Sequence, residues 1–442
     1  MYTSSIYKKS PIFLQNVMVS LRDLVRAAIR SEERVAGLKG QLRENEYSHD
    51  ALKVFCDTQL EAALLRAKST AAYGTHQQLD QFAFIDKQDV KASPDAFLNT
   101  QLNPKVTVKG STSGTTGTPL SIPQDLNSVL REQAFVSRHL EWAGYQKGDK
   151  RAWIRGDVVV PLSQKVGPYW RYSVFENMIL MSSFHLTADA IPGYLTAMED
   201  YGVDIIQAYP SSIATLAKFL DSKDLYYRGK LKSIVTSSES LSQEDREVIE
   251  KRFQCKVFDW YGLFERVAAI GSCEHGNYHL ISDYSHVEFL DSGDGKHEIV
   301  GTNYNNALYP LVRYRTGDHV VLANEQRCPC GRTYPVIEKI EGRVGDFLLG
   351  EDGQKIHILN HIPKGIEGLI SCQFVQEKAE SIKVLVVVDQ AKFTTQQEQQ
   401  LIASTNERVG QSITVDVHRV DALPRTKNGK VRQAVCSVES KF

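Results

Sequence analysis

The stretch VTVKGSTSGTTGTPLSI, residues 106–122, is the most specific feature of this 442-residue chain. Every residue from position 110 to 118 is glycine, serine or threonine, and Pro119 ends the run. Glycines let the backbone approach a ligand closely, while main-chain N–H groups and hydroxyls can donate hydrogen bonds to an anion. The stretch therefore predicts a phosphate-binding loop, with a plain surface loop as the alternative. It differs from a Walker A loop because no Lys-Ser or Lys-Thr pair follows the second glycine.

The segments of the chain differ in their pattern of apolar residues. Within residues 1–70, apolar residues recur at helical spacing in FLQNVMVSLRDLVRAAI and ALKVFCDTQLEAALLRA. Between about residues 106 and 344, β-rich runs such as RAWIRG, VDIIQAY, LKSIVTS and CKVFDWYG alternate with helical patterns, which favours a largely parallel sheet. From about Phe347 onward, ISCQFVQE, SIKVLVVVD and SITVDVHRV read as strands around one helix. This last part predicts a small α+β domain.

Composition limits the classes of function. The net charge of −1 argues against nucleic acid as a partner, and no apolar run reaches membrane-spanning length. Seven cysteines in a chain without an export signal predict a reducing cytoplasm, where a cysteine cluster is a metal candidate before a disulfide candidate. An amphipathic helix near the start is expected to dock its apolar stripe on the protein itself, with a membrane-surface role as the alternative. The stripe contains Leu14, Val17, Leu21, Leu24 and Ala28.

Three further motifs follow the loop in order, and together they point to one family. They are DWYGLFE (residues 259–265), YRTGD (314–318) and LPRTKNGKVR (423–432). With TSGTTGTP they resemble the core motifs of the adenylate-forming superfamily of acyl-CoA synthetases, peptide-synthetase adenylation domains and luciferases. Taken singly, YRTGD could close a hairpin, Glu265 could start a helix and TKNGK could be an ordinary Asn-Gly hairpin turn.

A narrower branch is also indicated. FAFIDKQDVKASPDAF and CPCGRTYP resemble phenylacetate-CoA ligases, while WIRGD, PYWRYSVFENMILMSSFHL and IIQAYPSSIATLAKFL are more similar to the CapK branch of capsular-polysaccharide biosynthesis. The resemblance is weakest before about Gly74. It implies an α/β fold in which a large N-terminal domain of mixed and parallel sheets is covered by helices. The implied divisions are residues 1–342 (with a helical extension at 1–70), a hinge at 343–346, and a small mobile α+β lid at 347–442.

The resemblance implies an ATP site that can be placed residue by residue. Tyr261 would stack on adenine, Asp318 would accept hydrogen bonds from the ribose hydroxyls, Glu265 would hold Mg²⁺, and Lys430 would neutralise charge as the acid attacks the α-phosphate. The phosphate loop would contribute Ser111, Thr112, Ser113, Gly114, Thr115, Thr116 and Gly117. The remaining nucleotide contacts would be Ser237, Ser238, Glu239, Asp259, Trp260, Gly262 and Arg343, with Gly345 as the hinge.

The sequence departs from the family pattern at a few of these positions. Thr118 and Leu120 stand where many members carry lysines, so phosphate binding would depend on N–H groups and hydroxyls. Phe264 replaces the usual threonine before Glu265 and removes one hydroxyl from the α-phosphate. Gly345 stands where Asp or Lys is common, and glycine can absorb a large change in backbone angles.

A second group of residues is independent of ATP. CEHGNYH supplies Cys273 and His279, and CPCG supplies Cys328 and Cys330. Three thiolates and one imidazole match a closed, tetrahedral structural zinc site. His275 could replace His279, and reduced buried cysteines beside a surface histidine are the alternative interpretation.

The resemblance implies an AMP-forming ligase. ATP and a carboxylic acid would give an acyl-adenylate and pyrophosphate, and the acyl group would pass to CoA, an amine or an amino sugar. Related ligases often form dimers. An amide-forming ligase without CoA and a non-catalytic nucleotide-binding protein remain alternatives. An unpaired arginine among aromatic residues would suit a second anionic group on the substrate, which makes Arg171 a candidate. The candidate substrate contacts are Arg155, Trp170, Arg171, Tyr172, Tyr209 and Ser211.

Overall fold

The computed structural model of the chain falls into two compact units. The first unit contains residues 1–25, 146–257 and 344–442, and the second contains residues 26–145 and 258–343. The residues described are 1–2, 4–29, 35–74, 76, 78–104, 107–111, 120–343, 347–356, 359, 362–363, 365–426 and 429–438.

The helices are short to medium in length. They are α1 (Ser5–Lys9), α2 (Ile12–Ile29), α3 (Ala36–Asn45), α4 (His49–Ala67), α5 (Lys87–Ala92), α6 (Leu126–Trp142), α7 (Ile191–Tyr201), α8 (Pro210–Ser222), α9 (Gln243–Phe253) and α10 (Thr395–Val409).

The strands are likewise short. They are β1 (Thr107–Ser111), β2 (Ser121–Asp125), β3 (Arg151–Ile154), β4 (Trp170–Ser173), β5 (Met178–Met181), β6 (Ile205–Ala208), β7 (Ser233–Ser237), β8 (Lys256–Gly262), β9 (Ala269–Ser272), β10 (Tyr278–Leu280), β11 (Ser285–Asp291), β12 (Lys296–Asn303), β13 (Tyr314–Leu322), β14 (Val336–Arg343), β15 (Leu348–Leu349), β16 (Lys355–Ile356), β17 (Leu369–Lys378), β18 (Ser381–Val388), β19 (Thr414–Arg419) and β20 (Ala434–Cys436).

Local sequence sets several helix ends. Ser48, Asp125 and Ser242 precede α4, α6 and α9, and each side chain accepts a hydrogen bond from the backbone N–H three residues later. Such caps satisfy N–H groups that have no partner within the helix. Gly202 caps the C-terminal end of α7, and its φ of 70° is a left-handed conformation that glycine adopts without steric cost.

The first unit contains a mainly parallel sheet and a small α+β part. Strands β7, β6, β3 and β5 are neighbours in parallel, and β4 joins antiparallel to β5 at the edge, with Arg171 opposite Leu180. Helices α7, α8 and α9 share one apolar core with these strands. Residues 348–434 build a separate core around Phe374, Val384 and Leu401, on the sheet β19-β18-β17-β20.

The second unit is organised around antiparallel strands. Their order is β11-β12-β13-β14-β10-β9-β8, and β1 and β2 form a separate hairpin. The register between β12 and β13 shifts between Glu298 and Val300, close to Gly317, whose φ is 70°. The YRTGD motif therefore lies at an irregularity inside β13 and does not close a hairpin.

The mixed α/β fold predicted from the sequence is confirmed, including the helices within residues 1–70 and the strand–helix alternation that follows. No helix among the described residues is both long and apolar enough to cross a bilayer. One boundary between the compact units falls after Arg343, but residues 344–442 group with residues 146–257. The predicted division at residues 343–346 stays a prediction.

The expectation for the first amphipathic helix is wrong. Gln15, Val19, Ser20 and Asp23 of α2 are buried, whereas the apolar stripe is exposed. Polar side chains face inward because they hydrogen-bond to the backbone of β4 and of the residue after it: Asn16 Oδ1 accepts from Tyr172 N at 3.0 Å and Ser20 Oγ accepts from Val174 N at 3.1 Å. The exposed stripe is Leu14, Val17, Leu21, Leu24 and Ala28.

Candidate active site

Three parallel strands of the first unit end beside one another. Arg155 follows β3, Tyr209 follows β6, and Ser238 and Glu239 follow Ser237 at the end of β7. Because these strands are parallel neighbours, the residues that follow them lie at one edge of the sheet, where open α/β sheets bind ligands. Arg155 Nη2 donates to Ser238 Oγ at 2.7 Å, and the guanidinium carbon lies 5.2 Å from the Tyr209 ring centre.

A turn near the end of the chain lies against these strand ends. Thr426 N donates to Lys430 O at 2.9 Å and Gly429 N donates to Thr426 O at 2.8 Å, while Gly429 has a φ of 74°. These contacts bring Thr426, Gly429 and Lys430 together, and we call these three residues the lysine turn; Lys427 and Asn428 lie outside the described residues. The Lys430 ammonium lies 6.0 Å from the Tyr209 ring centre. The lysine is therefore delivered to the sheet edge by its own turn.

One carboxylate joins the lysine turn to the sheet. Glu239 Oε1 accepts from Val431 N at 3.1 Å, and Oε2 accepts from Ser211 N at 3.0 Å, in the first turn of α8. Burial raises the pKa of Glu239 above its ordinary value, although the Ser211 hydrogen bonds and the Arg425 and Lys430 cations act in the opposite direction. The structure thus shows Glu239 bound to protein N–H groups on both oxygens.

Glycine is required where the lysine turn meets the segment after β3. A Cβ atom on Gly429 would lie 2.5 Å from Gly156 Cα, closer than any real contact. Arg425 supports the same turn, since its Nη1 donates to Gly429 O at 2.8 Å and to Ser212 Oγ at 3.3 Å. Any side chain at position 429 would push the turn away from the sheet.

In the second unit, the structure places two predicted nucleotide contacts together. Tyr261, near the end of β8, donates its hydroxyl to Asp318 Oδ2 at 2.7 Å. Asp318 is buried, and its backbone N–H donates to Thr316 Oγ1 at 3.0 Å within the irregular part of β13. A carboxylate positioned at a bulge beside an aromatic ring has the groups needed to bind a ribose and stack a base.

Glu265 lies in a turn after β8 and does not begin a helix. It is only 1% exposed, and Tyr314 donates its hydroxyl to Glu265 Oε1 at 3.2 Å. Asn303 Nδ2 donates to the Glu265 backbone oxygen at 3.3 Å, which fixes the turn. A buried, hydrogen-bonded carboxylate fits one ligand of a hard cation such as Mg²⁺, which takes its other ligands from phosphates and water.

The other residues of DWYG have structural contacts. Asp259 N donates to Ser272 Oγ at 2.7 Å, and Asp259 Oδ2 accepts from the Tyr278 hydroxyl at 3.0 Å. Trp260 belongs to the apolar core beneath α6, and its indole nitrogen would lie 2.9 Å from a Cβ atom on Gly262. Asp259 and Trp260, which precede Tyr261 in β8, are thus held by hydrogen bonds and by packing in the core.

The phosphate loop mostly lies outside the described residues. Ser111 ends β1, but its side chain is not described, and Thr112, Ser113, Gly114, Thr115, Thr116 and Gly117 fall outside the described ranges. The same holds for Gly345 and for the Arg343 side chain. At the start of the loop, a Cβ atom on Gly110 would lie 2.1 Å from Phe264 Cζ. Phe264 therefore packs directly on the strand that leads into the loop.

The substrate candidates separate into two groups. Tyr209, Ser211 and Arg155 lie at the sheet edge described above. Trp170 packs edge-on against Tyr194, with ring centres 5.8 Å apart, and belongs to the edge strand β4. Tyr172 packs on Tyr201, with ring centres 5.3 Å apart. These two rings thus take part in packing.

The hypothesis of an unpaired Arg171 is wrong. Arg171 is fully buried, and its Nε donates to Gln15 Oε1 at 2.5 Å. Its terminal nitrogens donate to Trp170 O at 2.6 Å, Gln164 Oε1 at 2.9 Å and Pro168 O at 3.0 Å. The guanidinium donates four hydrogen bonds to protein oxygens and joins α2 to β4.

Comparisons with known proteins show which proteins this chain is similar to. The family model of the CapK C-terminal domain matches residues 348–436. Protein CapK of Staphylococcus aureus is 23% identical over 447 aligned residues, which cover 98% of this chain and 99% of that protein. The crystal structure of 2-hydroxyisobutyryl-CoA ligase in the postadenylation state with R3-HIB-AMP aligns with a TM-score of 0.64 at 16% identity, covering 89% of this chain and 92% of that one.

The chain is CapK-like and has the adenylate-forming ligase fold. The same ligase with 2-HIB-AMP and CoA in its thioesterification state aligns with a TM-score of 0.53 at 17% identity, over 89% of this chain and 91% of that one. The predicted resemblance to this superfamily and to the CapK branch is confirmed.

The predicted cysteine and histidine residues of this CapK-like chain lie together in the second unit. The ligand atoms of Cys273, His279, Cys328 and Cys330 all lie within 4.8 Å of one another. Cys273 Sγ and Cys328 Sγ are 3.6 Å apart, and Cys330 Sγ is 3.4 Å from His279 Nε2. Thiolates on one tetrahedral zinc, with Zn–S of ~2.3 Å, would be ~3.8 Å apart. His275 is exposed and is not part of this group.

The histidine of this Cys–His cluster is oriented by the backbone. His279 Nδ1 lies 3.2 Å from Tyr334 O, so Nδ1 donates its proton there and Nε2 faces the thiols. Asn277 Nδ2 donates to Cys328 Sγ at 3.2 Å, as it would to a thiolate. Orientation from outside the cluster is typical of a metal site.

A buried ionic network lies next to the cluster. Arg138 makes two parallel hydrogen bonds to Asp283, at 2.8 and 3.0 Å, and the Tyr334 hydroxyl donates to the same carboxylate at 2.8 Å. Trp142 Nε1 donates to Glu46 Oε1 at 3.0 Å, and Glu46 lies 3.6 Å from Arg138 Nε. Tyr334 thus connects the network to the cluster.

Sequence reasoning missed this network and the support of the lysine turn. Arg425 stands inside the quoted motif LPRTKNGKVR, so its position beside Lys430 was an available signal. Arg138 and Asp283 are 145 residues apart and belong to no motif. A pair of that kind is visible only once the chain is folded.

Proposed function

We propose that the chain is an AMP-forming ligase. In the first half-reaction, a carboxylate oxygen attacks the α-phosphorus of ATP, the bond to the bridging oxygen breaks, and pyrophosphate leaves. In the second, an acceptor nucleophile attacks the acyl carbon, loses its proton and releases AMP. The observation that carries the proposal is the lysine turn held at the ends of β3, β6 and β7. A cation delivered there can oppose the charge that builds as the two anions approach.

The proposed contacts to ATP come from several separate motifs. Tyr261 would stack on adenine and Asp318 would bind the ribose, because the first offers a ring face and the second a two-oxygen acceptor. When bound, Mg²⁺ would neutralise phosphate charge, and Glu265 would hold it. The loop residues from Ser111 to Gly117 would bind the phosphates through N–H groups and hydroxyls. Ser237, Ser238, Gly262 and Arg343 would complete the nucleotide contacts, and Gly345 would be the hinge. Asp259 and Trp260, which have structural contacts, would help to position Tyr261.

We propose a positioning role for Glu239 in place of direct ATP contact. Both of its oxygens already accept backbone N–H groups, from Ser211 and Val431. A carboxylate near the α-phosphate would also repel it. Its most direct effect is to fix the turn that carries Lys430.

The acid is expected to enter near Arg155, Tyr209 and Ser211, and the acceptor would be CoA, an amine or an amino sugar. The resemblance to CapK supports a role in surface-polysaccharide assembly, whereas the CoA ligase with the same fold supports CoA. Phenylacetate is therefore expected to be a poor substrate. Incubation with ATP, a successful acid and each acceptor, followed by mass spectrometry of products, distinguishes thioester from amide.

A pyrophosphate-release screen across carboxylic acids tests the proposal. We expect release with at least one acid and a loss of 10²–10³-fold in Lys430→Ala, the scale for removing one preorganised charge donor. Lys383→Ala is the matched control, because that exposed lysine pairs with the exposed Glu377 in the same C-terminal part. Chemically made acyl-adenylate should still be consumed by Lys430→Ala at close to the normal rate.

Two results would overturn this reading. Nucleotide binding without pyrophosphate release from any acid would identify a non-catalytic binding protein. An equal loss of both half-reactions in Lys430→Ala would mean that the lysine does not act specifically in adenylation.

We also propose that the Cys–His cluster holds a structural Zn²⁺. Cys273, His279, Cys328 and Cys330 would fill all four tetrahedral positions, which leaves none for substrate. The zinc would fix the segments around β9, β10 and the CPCG loop, and it takes no part in the reaction.

A further inference from the structure

Helix α2 is turned with its polar face toward the protein. Its buried residues are Gln15, Val19, Ser20 and Asp23. Gln15 Nε2 donates to Tyr7 O at 2.9 Å, and its Oε1 accepts from the buried Arg171. The orientation is therefore fixed by several buried hydrogen bonds, together with those from the backbone of β4 to Asn16 and Ser20.

The opposite face of α2 presents a continuous apolar stripe to the outside. The residues there are between 37% and 65% exposed: Ile12, Phe13, Leu14, Val17, Leu21, Leu24 and Val25. The surface extends beyond the helix, because Val174, whose N–H bonds Ser20 Oγ, is 71% exposed and Phe175 is 53% exposed. Contiguous exposed apolar surface of this kind marks an interaction site.

The charge of this region identifies the occupant. Residues 1–29 contain Lys8, Lys9, Arg22 and Arg26 but only one acidic residue, Asp23, giving a net charge of +3 in a chain whose total is −1. The buried Asp23 pairs with Arg22 at an N–O distance of 3.5 Å, and Arg22 also donates to the Tyr2 hydroxyl at 2.7 Å, so Lys8, Lys9 and Arg26 give this region its net positive charge. Lys8 and Lys9 end α1 and are both exposed.

We propose that this face, residues 6–25 with Val174 and Phe175, docks the protein onto an anionic lipid bilayer. Apolar residues at an interfacial helix enter the boundary between headgroups and acyl chains, and basic residues bind anionic headgroups. A second copy of the chain fits less well, because a two-fold contact would bring two +3 segments together. The helix lies in the plane of the surface and does not cross it.

Flotation of the full-length protein with vesicles tests the proposal. We expect binding to vesicles of phosphatidylglycerol and phosphatidylcholine, little binding to phosphatidylcholine alone, and release by high salt. Lys8→Gln with Lys9→Gln should lower the partition constant about fivefold per lysine, which corresponds to ~1 kcal/mol for each basic residue near an anionic surface. Phe13→Trp should show a blue-shifted emission that brominated lipid quenches.

Matched substitutions distinguish vesicle binding by this face from nonspecific binding by other exposed apolar residues. Leu21→Asp should abolish vesicle binding, whereas Leu65→Asp, on an exposed position of α4, should not. Both variants should unfold at the same urea concentration as the parent protein. Absence of binding to anionic vesicles would overturn the proposal. So would a concentration-dependent dimer that Leu21→Asp dissociates, because the face would then bind a second copy.

Discussion

The lysine turn and the Cys–His cluster bring charged or polarisable groups together in opposite ways. At the lysine turn, Lys430 and Arg155 converge on a sheet edge from separate segments, and a single carboxylate, Glu239, holds the turn. Beside the cluster, Arg138 and Asp283 are buried and satisfy each other with two hydrogen bonds. The region proposed to bind a ligand brings cations to a sheet edge, whereas the region beside the cluster pairs its buried charges with each other. The two regions should therefore respond differently to mutation.

The largest effect on stability is expected from Arg138→Met. Its removal leaves the buried Asp283 carboxylate without its cation, which typically costs about 3–5 kcal/mol. Urea unfolding should show this loss, while the rate of adenylate formation per folded molecule stays the same. Arg43→Met is the control: Arg43 pairs with Glu141 on the surface, and its loss should cost under about 1 kcal/mol. Loss of activity without loss of stability would place Arg138 at the reacting site and break the comparison.

Cys330→Ser should have a similar effect through zinc. If the site is saturated about a thousandfold above its dissociation constant, losing the metal costs about 4 kcal/mol. Metal analysis should find one zinc per parent chain and none in the variant, with a lower melting temperature. Cys255→Ser, outside the cluster, should keep both properties. A parent protein that contains no zinc would leave the cluster as four reduced side chains and refute the zinc site.

The buried His139, which contacts the rings of Trp142, Phe258 and Trp260, should make stability depend on pH. Burial lowers the pKa of His139 to about 4, and its Nε2 lies 3.0 Å from Ser272 O. The unfolded chain takes up this proton near pH 6.5, whereas the folded chain takes it up only near pH 4. The contribution of the neutral His139 to the free energy of unfolding is therefore complete above pH 6.5 and is lost as the pH falls from 6.5 to 4. The loss is about 3 kcal/mol. His139→Gln should remove this part of the pH dependence; an unchanged difference between pH 7 and pH 4.5 would show that other groups cause it.

Glu239→Gln is expected to give the smallest effect, and on activity only. The amide can accept one of the two N–H groups but presents an NH₂ to the other, which removes one charge-assisted hydrogen bond of about 1.5–3 kcal/mol. Adenylate formation should fall about 10–100-fold, while the urea midpoint changes little because the replaced charge is itself unfavourable when buried. Glu380→Gln, an exposed change of the same kind, is the control. If Glu239→Gln weakened ATP binding and left the rate with saturating ATP unchanged, Glu239 would be a nucleotide contact.

The sequence predicted those parts of the molecule that depend on local pattern. The strands that begin at Arg151, Ile205 and Ser233 and the helices of residues 1–70 follow from periodicity, and the positive φ of Gly429 follows from the conformational freedom of glycine. The four residues of the Cys–His cluster could be found because ligand spacing is short within each pair. These features need no knowledge of long-range packing.

The sequence could not predict features in which a side chain chooses between distant partners. The sequence predicted an unpaired cation at Arg171, but this guanidinium donates hydrogen bonds to Gln15 and Gln164, which belong to two other segments. The apolar stripe on α2 was predicted to pack against the protein itself, because apolar residues of a surface helix usually face the core. In this protein the edge of the sheet at β4 has backbone groups without a partner among the described strands. Asn16 and Ser20 form hydrogen bonds with this edge, and these bonds turn the polar face of the helix inward.

That contact gives α2 a further consequence for association between chains. A strand at the edge of a sheet offers unpaired backbone groups to any other strand, and such edges are templates for aggregation. In this protein the edge of β4 is occupied by Asn16 and Ser20, one helical turn apart, so a foreign strand finds its acceptors and donors already engaged. A truncated protein that begins after residue 25 would expose that edge together with the apolar β5 beside it. Its tendency to form intermolecular sheets would rise even if every residue of the lysine turn remained in place.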